Sequence, residues 1–164
     1  MNIIAATEKD IPEIRRMAFE IWPIVYKDII TAQQIEYMLD TRYSFDSLQE
    51  QMEAGQQFFL AEDDNTYHGY AGIAPTEDEK VFKLEKLYVK PLMHKSGIGK
   101  LLLSATEQYA LSEGANALYL QVNRQNNAVG FYKKMGFIID KEMDVAIGGG
   151  FYMNDYFMIK KLDK

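Results

Sequence analysis

The stretch from Leu84 to Lys100, LEKLYVKPLMHKSGIGK, constrains the fold more than any other part of the chain. The residues up to Val89 first read as a β-rich strand. Pro91 and the glycines then break the run, and beyond Gly97 the apolar residues recur at helical spacing. A strand that passes through a short loop straight into an amphipathic helix requires a helix layer packed on a sheet. The same geometry suits an anion. The unpaired amides and positive dipole end of the helix converge on the Gly97-Ile98-Gly99 backbone, where glycines let phosphate oxygens approach closely. An ordinary βα turn, with glycines serving close packing, explains the spacing equally well. The known phosphate loops do not fit: the third glycine of a dinucleotide fingerprint is missing, and Gly99-Lys100 lacks both the upstream glycine and the following Ser or Thr of a Walker loop.

Around this segment the pattern reads as a mixed α/β (α+β-like) chain. Residues 2–6 form a first strand. A helix starts at the N-cap Asp10, buries Ile11, Ile14, Met17, Ala18 and Ile21, and ends or bends at Pro23. Weaker helical patterns cover 31–40 and 45–55. The β-rich runs 57–62, 69–74 and 81–89 are separated by polar clusters, as in an antiparallel meander. A helix over 97–112 presents Ile98, Leu101, Leu102, Ala105, Tyr109 and Leu111, and Gly114 ends it. A strand at 117–122, a short helix at 127–135 and two strands at 137–147 and 151–162 complete the order, giving one expected domain over 1–164.

Composition narrows the function. With 164 residues, 48% hydrophobic, the chain is long enough to bury a sizeable core. The absence of cysteine excludes disulfides, thiolate metal sites and a cysteine nucleophile, and fits a reducing, cytoplasmic setting. No signal peptide or membrane span is legible. A net charge of -6 argues against nucleic-acid binding and mildly favours a cationic substrate. His68 and His94 are isolated and Glu62-Asp63-Asp64 lacks calcium-loop spacing, so no metal is expected.

Two blocks resemble the GCN5-related N-acetyltransferase (GNAT) superfamily. Its acetyl-CoA loop, Arg/Gln-x-x-Gly-x-Gly/Ala after a bulged strand, corresponds to His94-Lys95-Ser96-Gly97-Ile98-Gly99, with His94 in place of Arg or Gln. Its Asn-x-Ala-x-x-Phe-Tyr-x-x-x-Gly-Phe signature corresponds to Asn126 through Phe137. The resemblance implies a GNAT fold and direct attack of an amine on acetyl-CoA. Lys95, Ser96, Gly97, Ile98, Gly99 and Lys100 would cradle the pyrophosphate, with His94 beside them. Leu87, Tyr88 and Val89 would offer main chain to the pantetheine along a splayed edge.

The same resemblance makes Tyr132 the proton donor to the departing thiolate, Asn126 a pantetheine or water contact, and Glu85 the general base. Each has a plainer reading: Tyr132 as a half-buried aromatic, Asn126 as a helix cap, Glu85 as the partner of Lys83 or Lys86. Phe131 and Phe137 read as core. Trp22 and Tyr26, with Tyr37, lie where this superfamily covers its acceptor cleft. They are expected to shape an amine pocket, although core packing serves for any one of them. A small primary amine, a polyamine first, is the expected acceptor; a protein N-terminus or an aminoglycoside is the alternative, as is a non-catalytic CoA sensor. By analogy with the family, the last hairpin offers edges for a homodimer.

Overall fold

In the computed structural model, which describes residues 1–162, a seven-stranded sheet carries five α-helices. The strands are β1 (Asn2–Ala5), β2 (Gln57–Asp63), β3 (Thr66–Pro75), β4 (Val81–Val89), β5 (Ala117–Asn123), β6 (Ile138–Gly148) and β7 (Phe151–Lys161). The helices are α1 (Ile11–Val25), α2 (Ala32–Arg42), α3 (Phe45–Glu53), α4 (Ile98–Ser112) and α5 (Ala128–Lys134). Strand order is β1-β2-β3-β4-β5-β7-β6, antiparallel except between β4 and β5. That parallel pair is the expected crossover: β4 cannot return to β5 in the same direction without α4. No helix among the described residues is long and apolar enough to cross a membrane.

The two faces of the sheet bury separate cores. On one, α1, α2 and α3 cover Phe58, Leu60, Tyr70 and Met153. On the other, α4 and α5 cover Ile73, Phe82, Leu84, Leu118, Leu120 and Met158, with Ala61 and Ala71 under the start of α4. All five apolar positions expected in α1 are buried, together with Trp22.

Three local expectations need correction. Asp10 does not cap α1 through its side chain; its carboxylate accepts the Thr7 amide at 2.9 Å and closes a short 3-10 turn instead. Pro23 does not end α1, which continues to Val25; within the last turn, the lost N–H interrupts little before the chain leaves the helix. In α4, Leu101 faces solvent, while Leu103, Thr106 and Ala110 join Ile98 and Leu102 in the core. Seating Ile98 and Leu102 on Ala61 and Ala71 rotates the stripe, and Thr106 is tolerated there because its hydroxyl donates to the Leu103 carbonyl at 2.7 Å.

Candidate active site

The site begins with one surplus residue in β4. Opposite β3, Lys86 pairs with Gly72 and Leu84 with Ile73, so Glu85 has no partner and forms a β-bulge. The bulge changes the alternation. Phe82 and Leu84 face the α4 side, and strict period two would send Lys86 after them; instead Leu87 and Val89 take that face, while Lys86 and Tyr88 turn to the α1 side. There Lys86 Nζ donates to the side-chain carbonyls of Gln51 at 2.5 Å and Gln56 at 2.8 Å and lies 5.0 Å from the Phe58 ring. Burial lowers its pKa to about 7. The sequence reading assigned Lys86 only a surface pairing.

Past the bulge, β4 and β5 part. Their register stops at Leu84 with Leu120, so Leu87, Tyr88 and Val89 have a strand on one side only, toward β3. This is the splayed edge that main-chain pairing with an extended ligand needs. At its far end the chain turns through Pro91–Met93, and the loop reaches α4 with Lys95 at φ 65° and Gly97 at φ 89°. Gly97 is the α4 N-cap and supplies no side-chain bond, so the first-turn amides of Ile98, Gly99 and Lys100 stay free for an acceptor. Nothing lies within 4 Å of where a Gly97 side chain would stand. Ser96 instead turns its hydroxyl back to the Met93 carbonyl. The His94 ring is turned away from the loop: its Nε2 lies 2.8 Å from the Val89 carbonyl oxygen, tying the loop to the strand exit.

The opposite wall of the gap is α5 with the turn before it. A Cβ on Gly99 would stand 3.4 Å from the Phe131 ring, so the starts of α4 and α5 nearly touch. Asn126 lies in the turn just before α5, whose N-cap is Asn127, and its Oδ1 accepts the Ala128 amide at 2.9 Å. Tyr132 is buried between Phe131 and Phe137, at ring separations of 5.4 and 5.6 Å, and burial raises its pKa, with Tyr26 adding to the effect. Its hydroxyl makes no hydrogen bond among the described residues.

On the α1 side, the Tyr26 and Tyr88 hydroxyls lie 3.0 Å apart. Burial pushes Tyr26 up to about 12, against the hydrogen-bonding influence of Tyr88, with Asp155 pushing further in the same direction. Trp22, expected to contact substrate, belongs to the core: it is 4% exposed and packed by Tyr26, Tyr43 and Tyr88. It supports Tyr26 from beneath. Tyr37 donates to the Ile147 carbonyl at 3.2 Å and holds the β6–β7 turn. Glu85 forms an ion pair with Lys83 at 2.8 Å. A cavity of about 500 Å³ opens between the α1–α2 connection and the end of β5, lined by Thr31, Gln34, Asn123, Arg124, Tyr152 and Asn154.

Sequence reasoning missed Asp155, which is 7% exposed with an unpartnered oxygen. Its signal was a lone acidic residue inside the apolar alternation of β7, legible only once the strand's faces are known.

Residues 26–148 match the family described as acetyltransferase (GNAT) domain. Spermidine N(1)-acetyltransferase of Thermoplasma acidophilum is 28% identical over 138 residues, covering 80% of this chain and 84% of that protein. The crystal structure of the PaiA N-acetyltransferase from the same organism, in complex with coenzyme A, superposes with a TM-score of 0.81 at 27% identity, covering 98% of this chain and 99% of that one. Ribosomal-protein-alanine N-acetyltransferase from Brucella melitensis shares the fold with a TM-score of 0.74 at 23% identity, covering 99% and 100%.

Proposed function

The chain belongs to the GNAT acetyltransferase family, and from that premise we propose that it transfers the acetyl group of acetyl-CoA to a primary amine of a small molecule. The observation that carries this reading is the gap between β4 and β5, open along Leu87, Tyr88 and Val89 and ending at the free amides of α4. A thin extended chain bearing a pyrophosphate fits both parts. Its arm would pair with the β4 main chain, and its phosphates would meet the Ile98, Gly99 and Lys100 amides with Lys95 and Lys100 nearby. When bound, acetyl-CoA supplies a thioester carbonyl open to nucleophilic attack. Tyr132, kept protonated by burial, is the proposed proton donor to the departing sulfur. Tyr26 faces the acceptor and Asn126 borders the arm.

A polyamine is the first acceptor to test, supported by the spermidine acetyltransferase relative. Because structures of the same fold carry names with quite different acceptors, the acceptor must be read from the cleft and not from the fold. The test is calorimetry with acetyl-CoA, followed by thiol release over a panel of spermidine, aminoglycosides and N-terminal peptides. Absence of acetyl-CoA binding refutes the proposal; tight binding without turnover on any amine favours a non-catalytic CoA-binding module.

A further inference from the structure

Along β7, Tyr156 and Met158 pack on the α4–α5 side and Met153 on the α1–α2 side, so Asp155 points toward α1. It pairs across the sheet with Asn123, the last residue of β5, at a level that β4 has already left. Asp155 therefore stands on the β5–β7 bank of the gap, near Tyr26, whose hydroxyl meets that of Tyr88 on β4. Its Oδ1 is shielded from solvent and has no hydrogen-bond partner among the described residues. A buried carboxylate oxygen with a purely structural role would be satisfied by the protein, because leaving it bare forfeits its hydration with nothing in return.

Glu85, the carboxylate at the β4 bulge, is already engaged by Lys83. We propose that Asp155 receives the ammonium group of the acceptor and takes its proton as the nitrogen attacks the thioester. This rests on the acetyl-CoA reading above. In the balanced step, the ammonium loses one proton to Asp155, the nitrogen–carbon bond forms, and the carbon–sulfur bond breaks. Tyr132 gives its proton to the departing sulfur and is reprotonated by the second proton that leaves the nitrogen, while Asp155 returns the first to solvent, so that one proton is released for each acetyl group transferred.

The charged and titratable groups facing Asp155 are Lys83 from β4, Arg124 from the β5–α5 connection and Tyr26, the residue that caps the end of α1. Arg124 is itself paired with Asp144 at 2.8 Å on β6. Burial raises the carboxyl to about 6, opposed by Lys83 and Arg124. It is thus ionised near neutral pH and still basic enough to accept a proton.

The test measures thiol release by the full chain from pH 5 to 9, with acetyl-CoA and spermidine or the panel amine that turns over. Asp155→Asn should lower kcat/KM about 100-fold or more and remove the ascending acidic limb of the profile, while its affinity for acetyl-CoA by calorimetry stays within about threefold. Glu85→Gln should keep the limb. Should Asp155→Asn not fold, a limb that survives in Glu85→Gln and moves in Asp155→Glu supports the assignment. An Asp155→Asn enzyme that retains the limb and more than a tenth of the activity overturns it, as does a limb lost in Glu85→Gln. Wild-type protein that binds no acetyl-CoA overturns the transferase reading itself.

Discussion

Asp155 makes a prediction about stability that is independent of any substrate. A carboxyl raised from 3.8 to about 6 on folding is one whose folded state holds its proton longer than the unfolded chain does. Its contribution is therefore fully present below about pH 4 and is lost as the pH rises through about 6. At 1.36 kcal/mol per pH unit the whole difference is roughly 3 kcal/mol. Solvent reaching the gap screens part of it, leaving about 1–2 kcal/mol between pH 4.5 and 7.5. Asp155→Asn removes the ionisation and keeps the shape. The variant should gain on wild type as pH rises, melting about 2–6 °C higher at pH 7.5 and nearly level with it at pH 4.5. Thermal melts at both pH values decide the matter. A variant less stable than wild type at pH 7.5, or an offset that does not change with pH, refutes the reasoning.

Three further outcomes are expected. Tyr132→Phe should lower kcat by about 10- to 100-fold with little change in acetyl-CoA affinity, because only the proton donor is removed; unchanged kcat in thiol-release assays excludes the role. Lys86 is lowered to about 7, so the unfolded chain binds more protons there between about pH 7 and 10 and wild-type stability should rise over that range. Lys86→Met should flatten the rise in denaturant titrations. Leu48 is fully buried among α1, Phe58 and Tyr70, and Leu48→Ala should cost about 2–5 kcal/mol by urea unfolding.

The order of elements was legible because most have a strong local signal: the α1 spacing from Ile11 to Ile21, the glycines that end α4 and α5, and the β-rich runs of β2 to β4 set apart by polar clusters. The strand–loop–helix segment from Leu84 to Lys100 was equally readable, since it is continuous in sequence. What could not be read was orientation. The face of α4 depends on Ala61 and Ala71, which belong to strands far away in sequence. The side taken by Lys86 depends on which β3 residue pairs with Leu84. Asp155 is assigned to the gap by the combined register of β5, β7 and the end of β4, and no pattern within β7 contains that information. Trp22 and Tyr26, four residues apart at the end of α1, looked equivalent; both are 4% exposed and packed in the same core, and only the register of β4 shows that the Tyr26 hydroxyl meets that of Tyr88.

The parting of β4 and β5 also creates an edge in the interior of a sheet. Free edges normally recruit other strands and so invite aggregation, and this one is bounded by neighbours. Phe131, near the start of α4, borders it on one face, and the joined hydroxyls of Tyr26 and Tyr88 border it on the other. An interior edge with helices over both faces is less open to a second polypeptide than the rims of the sheet, where β1 and β6 lie.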